Sequence, residues 1–113
     1  METISREQDF AQLFRNGKRV SAGAIRLWYR KRTAGKLRVC FAGKSKKAVY
    51  RNRIRRRLRE AFRVNFLFAV EDKPWDLFFL SDERLLEEDF TQLVSQMGKL
   101  LDRAGIGNNI DGK

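Results

Sequence analysis

Apolar residues at the far end of the chain fall into a helical rhythm. Leu86, Phe90, Leu93, Val94, Met97, Leu100 and Leu101 follow the i, i+4, i+7, i+8 spacing that gathers one side of a helix. Ser81 or Asp82 stands where it can cap this last helix, and Glu87, Glu88 and Asp89 fall in or near its first turn. The helix macrodipole favours negative charge there, which accounts for the acidic cluster better than a metal site without a second ligand set nearby in sequence. A shorter helical pattern opens the chain. Phe10, Leu13 and Phe14 repeat behind a capping box of Ser5 and Gln8, and Gly17 is placed to close the helix.

Between these helices the period changes to two. Residues 20–32 alternate as a strand, with Ile25, Leu27 and Tyr29 on one face and Arg26, Trp28 and Arg30 on the other. A turn at Thr33–Lys36 predicts that Leu37–Gly43 returns beside it as a hairpin. After the break Glu71–Pro74, the run WDLFFL (Trp75–Leu80) is almost continuously apolar, as expected of a strand buried on both faces.

A second helix from about Lys46 to about Phe66, capped by Ser45, carries two unlike faces. At 100° per residue, Tyr50, Leu58, Ala61 and Asn65 lie within about 40° of Ile54, and Phe62 at about 80°. Asn52, Arg55, Arg56, Arg59 and Arg63 lie between about 100° and 200°, and Arg53 and Arg57 flank them at about 260° and 300°. The predicted order is α-β-β-α-β-α, an α+β two-layer sandwich of helices against a small sheet. Residues 1–105 form one domain, with 106–113 as a disordered tail.

Charge sharpens this picture. The 113 residues carry +11 overall, but residues 1–70 hold +16 and residues 71–113 hold −5. Ten lysines and arginines fall between Lys44 and Arg63 against one acid, Glu60. Internal i,i+4 ion pairs do not explain them, because only Arg56 or Arg57 has a local acid. Lys46 and Lys47 also oppose the macrodipole at the helix start, a cost that a bound phosphate would reverse. The arginine fork grips phosphates bidentately, so this face points to a polyanion.

Catalysis has little to work with. The chain has no histidine, and Cys40 sits mid-strand as a small core residue with nothing to activate it. One cysteine also excludes an internal disulfide and suits a reducing, cytoplasmic setting; no secretory core or membrane span is present. A zipper-like DNA binder lacks the leucine heptad that would dimerise it. Phe10 and Phe14, with Trp28 or Tyr29, have the character of base-stacking residues for single-stranded RNA, although core packing claims many such aromatics.

The segment AVYRNRIRRRLREAFR (Ala48–Arg63), with Arg51-Asn52-Arg53 at its centre, resembles the signature helix of the bacterial ribonuclease P protein family. DFAQLFRNGK (Asp9–Lys18) looks like that family's first helix and its terminating glycine. The resemblance implies a left-handed β-α-β crossover through the basic helix. It also implies the catalytic RNA of ribonuclease P and precursor tRNA as partners, in tRNA 5′-end maturation. RNA-binding positions carry over to Lys44, Lys47, Arg51, Asn52, Arg53, Arg55, Arg56 and Arg59, and the aromatics of a cleft for the 5′ leader to Phe10 and Phe14; the strand reading adds Trp28 and Tyr29 to that cleft. No catalytic residue and no cofactor are implied for the protein alone, a free monomer; magnesium enters the holoenzyme through the RNA. Two departures stand out: Ala42-Gly43-Lys44 where the family has a basic run, and Asp82 and Glu83 where it often has bases. They predict a less basic cleft. A structural RNA binder of the ribosomal type, or a DNA-binding regulator preferring palindromic duplex sites, is the competing reading.

Overall fold

The most apolar strand of the chain takes an interior place in its sheet. The computed structural model describes residues 1–106. In it β1 (Lys18–Ala22), β2 (Ile25–Lys31), β3 (Arg38–Lys44) and β4 (Trp75–Asp82) form one sheet in the order β1-β2-β4-β3. β4 is inserted between β2 and β3, antiparallel to the first and parallel to the second. The hairpin expected between residues 20–32 and 37–43 therefore does not form. Residues 20–32 are not one strand either: β1 and β2 make the hairpin, through a two-residue turn at Gly23 and Ala24. Burial explains the exchange, because an interior strand is screened along both edges and the run richest in apolar side chains gains most there.

Even so, β4 alternates. Leu77, Phe79 and Ser81 are buried on one face, whereas Phe78 and Leu80 on the other are only partly covered. The first face meets α2 (Ala48–Asn65) and α4 (Phe90–Arg103), joined to the sheet by the short α3 (Leu67–Val70) and a 3-10 turn (Glu83–Glu87). Ile25, Leu27, Phe41, Ile54, Leu58, Phe62, Leu93, Met97 and Leu100 fill the core between them. α1 (Glu7–Asn16) lies across the other face, with Leu13 fully buried. The class is α+β as the pattern predicts, with one strand more than expected. The parallel strands β3 and β4 are connected by a crossover through α2.

Three caps differ from expectation. α1 starts at Glu7 behind Arg6, without the Ser5–Gln8 box, because the preceding residues are drawn out along the edge of β3. There Glu2 bridges to Arg38, its carbonyl accepts from the Val39 N–H at 2.9 Å, and Ile4 is buried. Ser45 does not cap α2: Lys47 holds the N-cap position without a side-chain bond to the helix, and the Ser45 hydroxyl accepts from the Lys47 N–H at 3.1 Å. Asp89 caps α4 in a reciprocal box with Gln92, because β4 runs on through Ser81 and Asp82 and the 3-10 turn then uses Asp82 as its own cap. Gly17 does close α1, with extended backbone rather than the left-handed turn. A β-carbon there would lie 2.4 Å from the Leu13 carbonyl oxygen and 2.8 Å from that of Tyr29.

The fold also extends past 105. Ile106 is 1% exposed and its N–H donates to the Leu101 carbonyl at 2.9 Å, so it belongs to the core and not to a tail. The rest of the expected tail, 107–113, lies outside the described residues. No helix among the described residues is long and apolar enough to cross a membrane.

Candidate nucleic-acid interface

α2 is divided by what lies beneath it. Ile54, Leu58, Ala61 and Phe62 are fully buried and Tyr50 and Asn65 partly so, which is the stripe the spacing predicts. β3 and α2 approach closely at Gly43, where a β-carbon would lie 2.7 Å from the Arg51 carbonyl oxygen and 2.8 Å from the Ile54 β-carbon. The departure at Gly43 thus lets the basic helix sit flat on the sheet. A bulkier residue would have to push it away.

Above this contact Arg51, Asn52, Arg53, Arg55, Arg56 and Arg59 are exposed. Arg51 bends back and donates to the Ser45 carbonyl at 2.9 Å, which ties the helix start to the end of β3. Arg57 donates to the Glu88 carbonyl at 2.8 Å, and Glu60 pairs at 2.7 Å with Arg63, one turn further on, rather than with Arg56 or Arg57 as expected. Among the described residues Arg53, Arg55, Arg56 and Arg59 have no hydrogen bond or ion pair. Arg55 and Arg59 border a groove with the N-terminal residues and Cys40; Arg53 and Arg56 border another with Phe90. Lys44 ends β3, and Lys47 holds its ammonium 5.3 Å from the centre of the Tyr50 ring. Like charges at this density raise the energy of the free protein, and a bound polyanion relieves it.

The opposite face of the sheet carries an aromatic floor. Register places Trp28, Phe78 and Cys40 side by side across β2, β4 and β3. α1 lowers Phe10 and Phe14 onto them. Phe14 meets Phe78 at 5.5 Å and Trp28 at 5.6 Å, both edge-on, and Phe10 meets Phe78 at 6.0 Å. Phe14 also stacks on Phe10 at 6.2 Å, yet remains 49% exposed. Phe78 was legible in principle, since strict alternation along WDLFFL puts it beside Trp28, but a strand expected to be buried on both faces hides that signal. Tyr29 is not part of this floor. Its side chain lies on the helix-covered face, where it packs against Trp75 at 6.2 Å. Cys40 is likewise not a core residue: it is half-buried on the floor beside Phe78, and burial pushes its thiol above the ordinary range.

Charge at the end of the cleft is self-compensated. Asp82 takes hydrogen bonds from Arg84 Nε at 2.9 Å and Nη2 at 3.0 Å, and Arg26 lies 3.9 Å away. The Arg84 guanidinium holds the Asp82 carboxyl below the usual range, against the opposing effect of burial. Glu83 accepts from the Ser45 hydroxyl. The acids that depart from the expected pattern therefore do not stand alone, and Arg26, Lys44 and Arg84 surround them. Sequence reasoning missed Arg84 and Arg26 here. The signal for Arg84 was its i,i+2 spacing from Asp82 beyond a strand end, and that for Arg26 its place on the Trp28 face of the alternating strand.

A family model described as Ribonuclease P matches residues 1–105. The ribonuclease P protein component of Thermoanaerobacter sp. (strain X514) is 34% identical over 87% of this chain and 84% of its own length. That of Clostridium botulinum (strain Langeland) is 31% identical over 93% of this chain and 96% of its own. Among solved structures, the RNase P protein from Thermotoga maritima superposes with a TM-score of 0.75 at 28% identity, covering 91% of this chain and 97% of that one. The Staphylococcus aureus protein reaches 0.78 at 20% identity over 96% and 99%, a likeness of fold.

Proposed function

The chain belongs to the ribonuclease P protein family, and from that premise we infer what each of its two surfaces holds. It is a protein subunit of ribonuclease P, the endoribonuclease of tRNA 5′-end maturation, and its partner is the RNA of that enzyme. α2 is the RNA-subunit face, with Lys44, Lys47, Arg51, Asn52, Arg53, Arg55, Arg56 and Arg59 as its contacts. The cleft under α1 takes the single-stranded 5′ leader of precursor tRNA, with Phe10, Phe14, Trp28 and Phe78 offering ring faces and Arg26, Lys44 and Arg84 offering charge. Tyr29 has no place in this cleft.

The observation that carries this reading is the set Arg53, Arg55, Arg56 and Arg59, exposed along one helix without an internal partner among the described residues. Guanidinium groups left so are available to phosphates, and each phosphate engaged releases condensed counterions. The chemistry of cleavage belongs to the RNA. We assign the magnesium of the holoenzyme to the RNA as well. The free protein acts as a monomer.

Reconstitution tests the whole reading. Protein, ribonuclease P RNA and precursor tRNA together should release the leader at lower magnesium than the RNA needs alone. The protein by itself should release none. Selective retention of ribosomal RNA, with no effect on cleavage, would overturn the assignment.

A further inference from the structure

Phe90 occupies a position that helix periodicity alone would bury. It stands three residues before Leu93 on the apolar stripe of α4, and Leu93, Met97, Leu100 and Leu101 on that stripe are buried. Phe90 is 38% exposed instead. Its ring opens into a groove lined by Arg53, Arg56, Arg57, Arg59 and Arg63 of α2. Among the described residues the one acid on the groove, Glu60, is paired with Arg63 at 2.7 Å.

The segment that holds Phe90 is tied down from two sides. Asp89 accepts from the Gln92 N–H at 2.8 Å while the Gln92 side chain accepts from the Asp89 N–H at 3.1 Å. One residue earlier, the Glu88 carbonyl accepts from Arg57 at 2.8 Å, linking the start of α4 to the basic helix. Backbone held in this way fixes where the ring projects, so little main-chain freedom is lost on binding. An exposed ring surrounded by guanidinium groups is suited to a flat, uncharged group attached to phosphates, which is an unpaired nucleobase. A paired helix offers no free base face to the ring, and an acidic peptide would engage the arginines without it.

We propose that Phe90 and the arginines around it form a pocket in which one unpaired base of the ribonuclease P RNA stacks, next to the phosphate-gripping face of α2. This rests on the assignment of α2 as the RNA-subunit face and adds a base-holding residue on a different helix. The pocket is separate from the aromatic cleft under α1, which lies on the other face of the sheet.

Equilibrium binding of ribonuclease P RNA to wild type, Phe90→Leu and Phe90→Tyr separates the possibilities, with melting temperatures taken for each. Leu keeps apolar bulk but has no ring face; Tyr keeps the ring. Phe90→Leu should weaken binding by about 5- to 150-fold with little change in the slope of log K against log salt, since the arginines still engage every phosphate. Phe90→Tyr should bind like wild type. In a second measurement, photoreactive p-azidophenylalanine in place of Phe90 should cross-link on irradiation to an unpaired nucleotide of the RNA. Wild-type affinity in Phe90→Leu, or cross-links confined to paired RNA, would overturn the pocket while leaving α2 as the binding face. Failure of the wild type itself to bind would overturn both.

Discussion

Arg38 and Asp76 stand opposite each other in register on the parallel strands β3 and β4, joined by two charged hydrogen bonds. Nε and Nη2 of Arg38 donate to the two carboxylate oxygens at 2.9 and 2.8 Å, and Asp76 is fully buried. The same guanidinium reaches Asp9 of α1 at 3.1 Å, and Arg32 Nε lies 2.9 Å from Asp76. The cluster lies apart from the basic face of α2. It moors α1 on the sheet, and so fixes the height of Phe10 and Phe14 above the cleft floor.

Asp76→Ala should therefore destabilise the protein by about 2–3 kcal/mol. The figure stays below that for a wholly buried pair because Arg32 and Arg38 are about one-fifth exposed and can rehydrate. Urea unfolding followed by far-UV circular dichroism measures it. An unchanged midpoint would mean that the cluster adds nothing to the fold.

Replacing Arg55, Arg56 and Arg59 together by Ala should leave the melting temperature within a few degrees of wild type, since all three are exposed. Binding of ribonuclease P RNA should fall. The slope of log K against log salt should become shallower by about 2 to 3, at roughly 0.7–0.9 for each phosphate that no arginine neutralises any longer. Filter binding across a salt series gives both numbers. A full slope in the triple variant would move the RNA face elsewhere.

Phe14→Ala should weaken precursor tRNA binding to the holoenzyme by about 1–3 kcal/mol, the worth of one stacked base. Mature tRNA, which has no leader, should bind as before. Because Phe14 is 49% exposed, the fold should survive its truncation, and a thermal melt checks this. Equal weakening for the two tRNAs would remove the leader from the cleft.

Asp82→Asn probes the Arg84 pair through pH. A carboxyl held below its unfolded value adds stability that is present in full above the ordinary range and is lost as pH falls through the folded value. At neutral pH the variant should be less stable than wild type by under about 1 kcal/mol, given the exposure of Arg84. The gap should begin to close below about pH 4, where the unfolded carboxyl takes up its proton, and vanish only once pH falls below the lower folded value. Denaturation midpoints followed from pH 7 down to strong acid, below the usual carboxylate range, decide it. A gap that stayed constant would show that the pair is not responsible.

Local pattern determined much of this protein. The two faces of α2, the stripe of α4, the alternation of β2 and the Phe10–Phe14 spacing all follow from residues a few positions apart, whose burial or exposure depends on helix and strand periods alone. The charge on α2 is legible for the same reason, because excess arginine cannot hide inside a core. Tertiary structure decided the rest. Which strand lies beside β2 depends on competition for the sheet interior between segments some fifty residues apart, and β4 displaced β3 because its apolar run is buried best there. That choice set Phe78 beside Trp28, whereas Tyr29 lies on the other face through the alternation of β2 itself. It also carried β4 through Ser81 and Asp82, leaving Asp89 to cap α4 and Phe90 to open toward the arginines. Pairing across a sheet is a contact between distant residues, and no period along the chain records it.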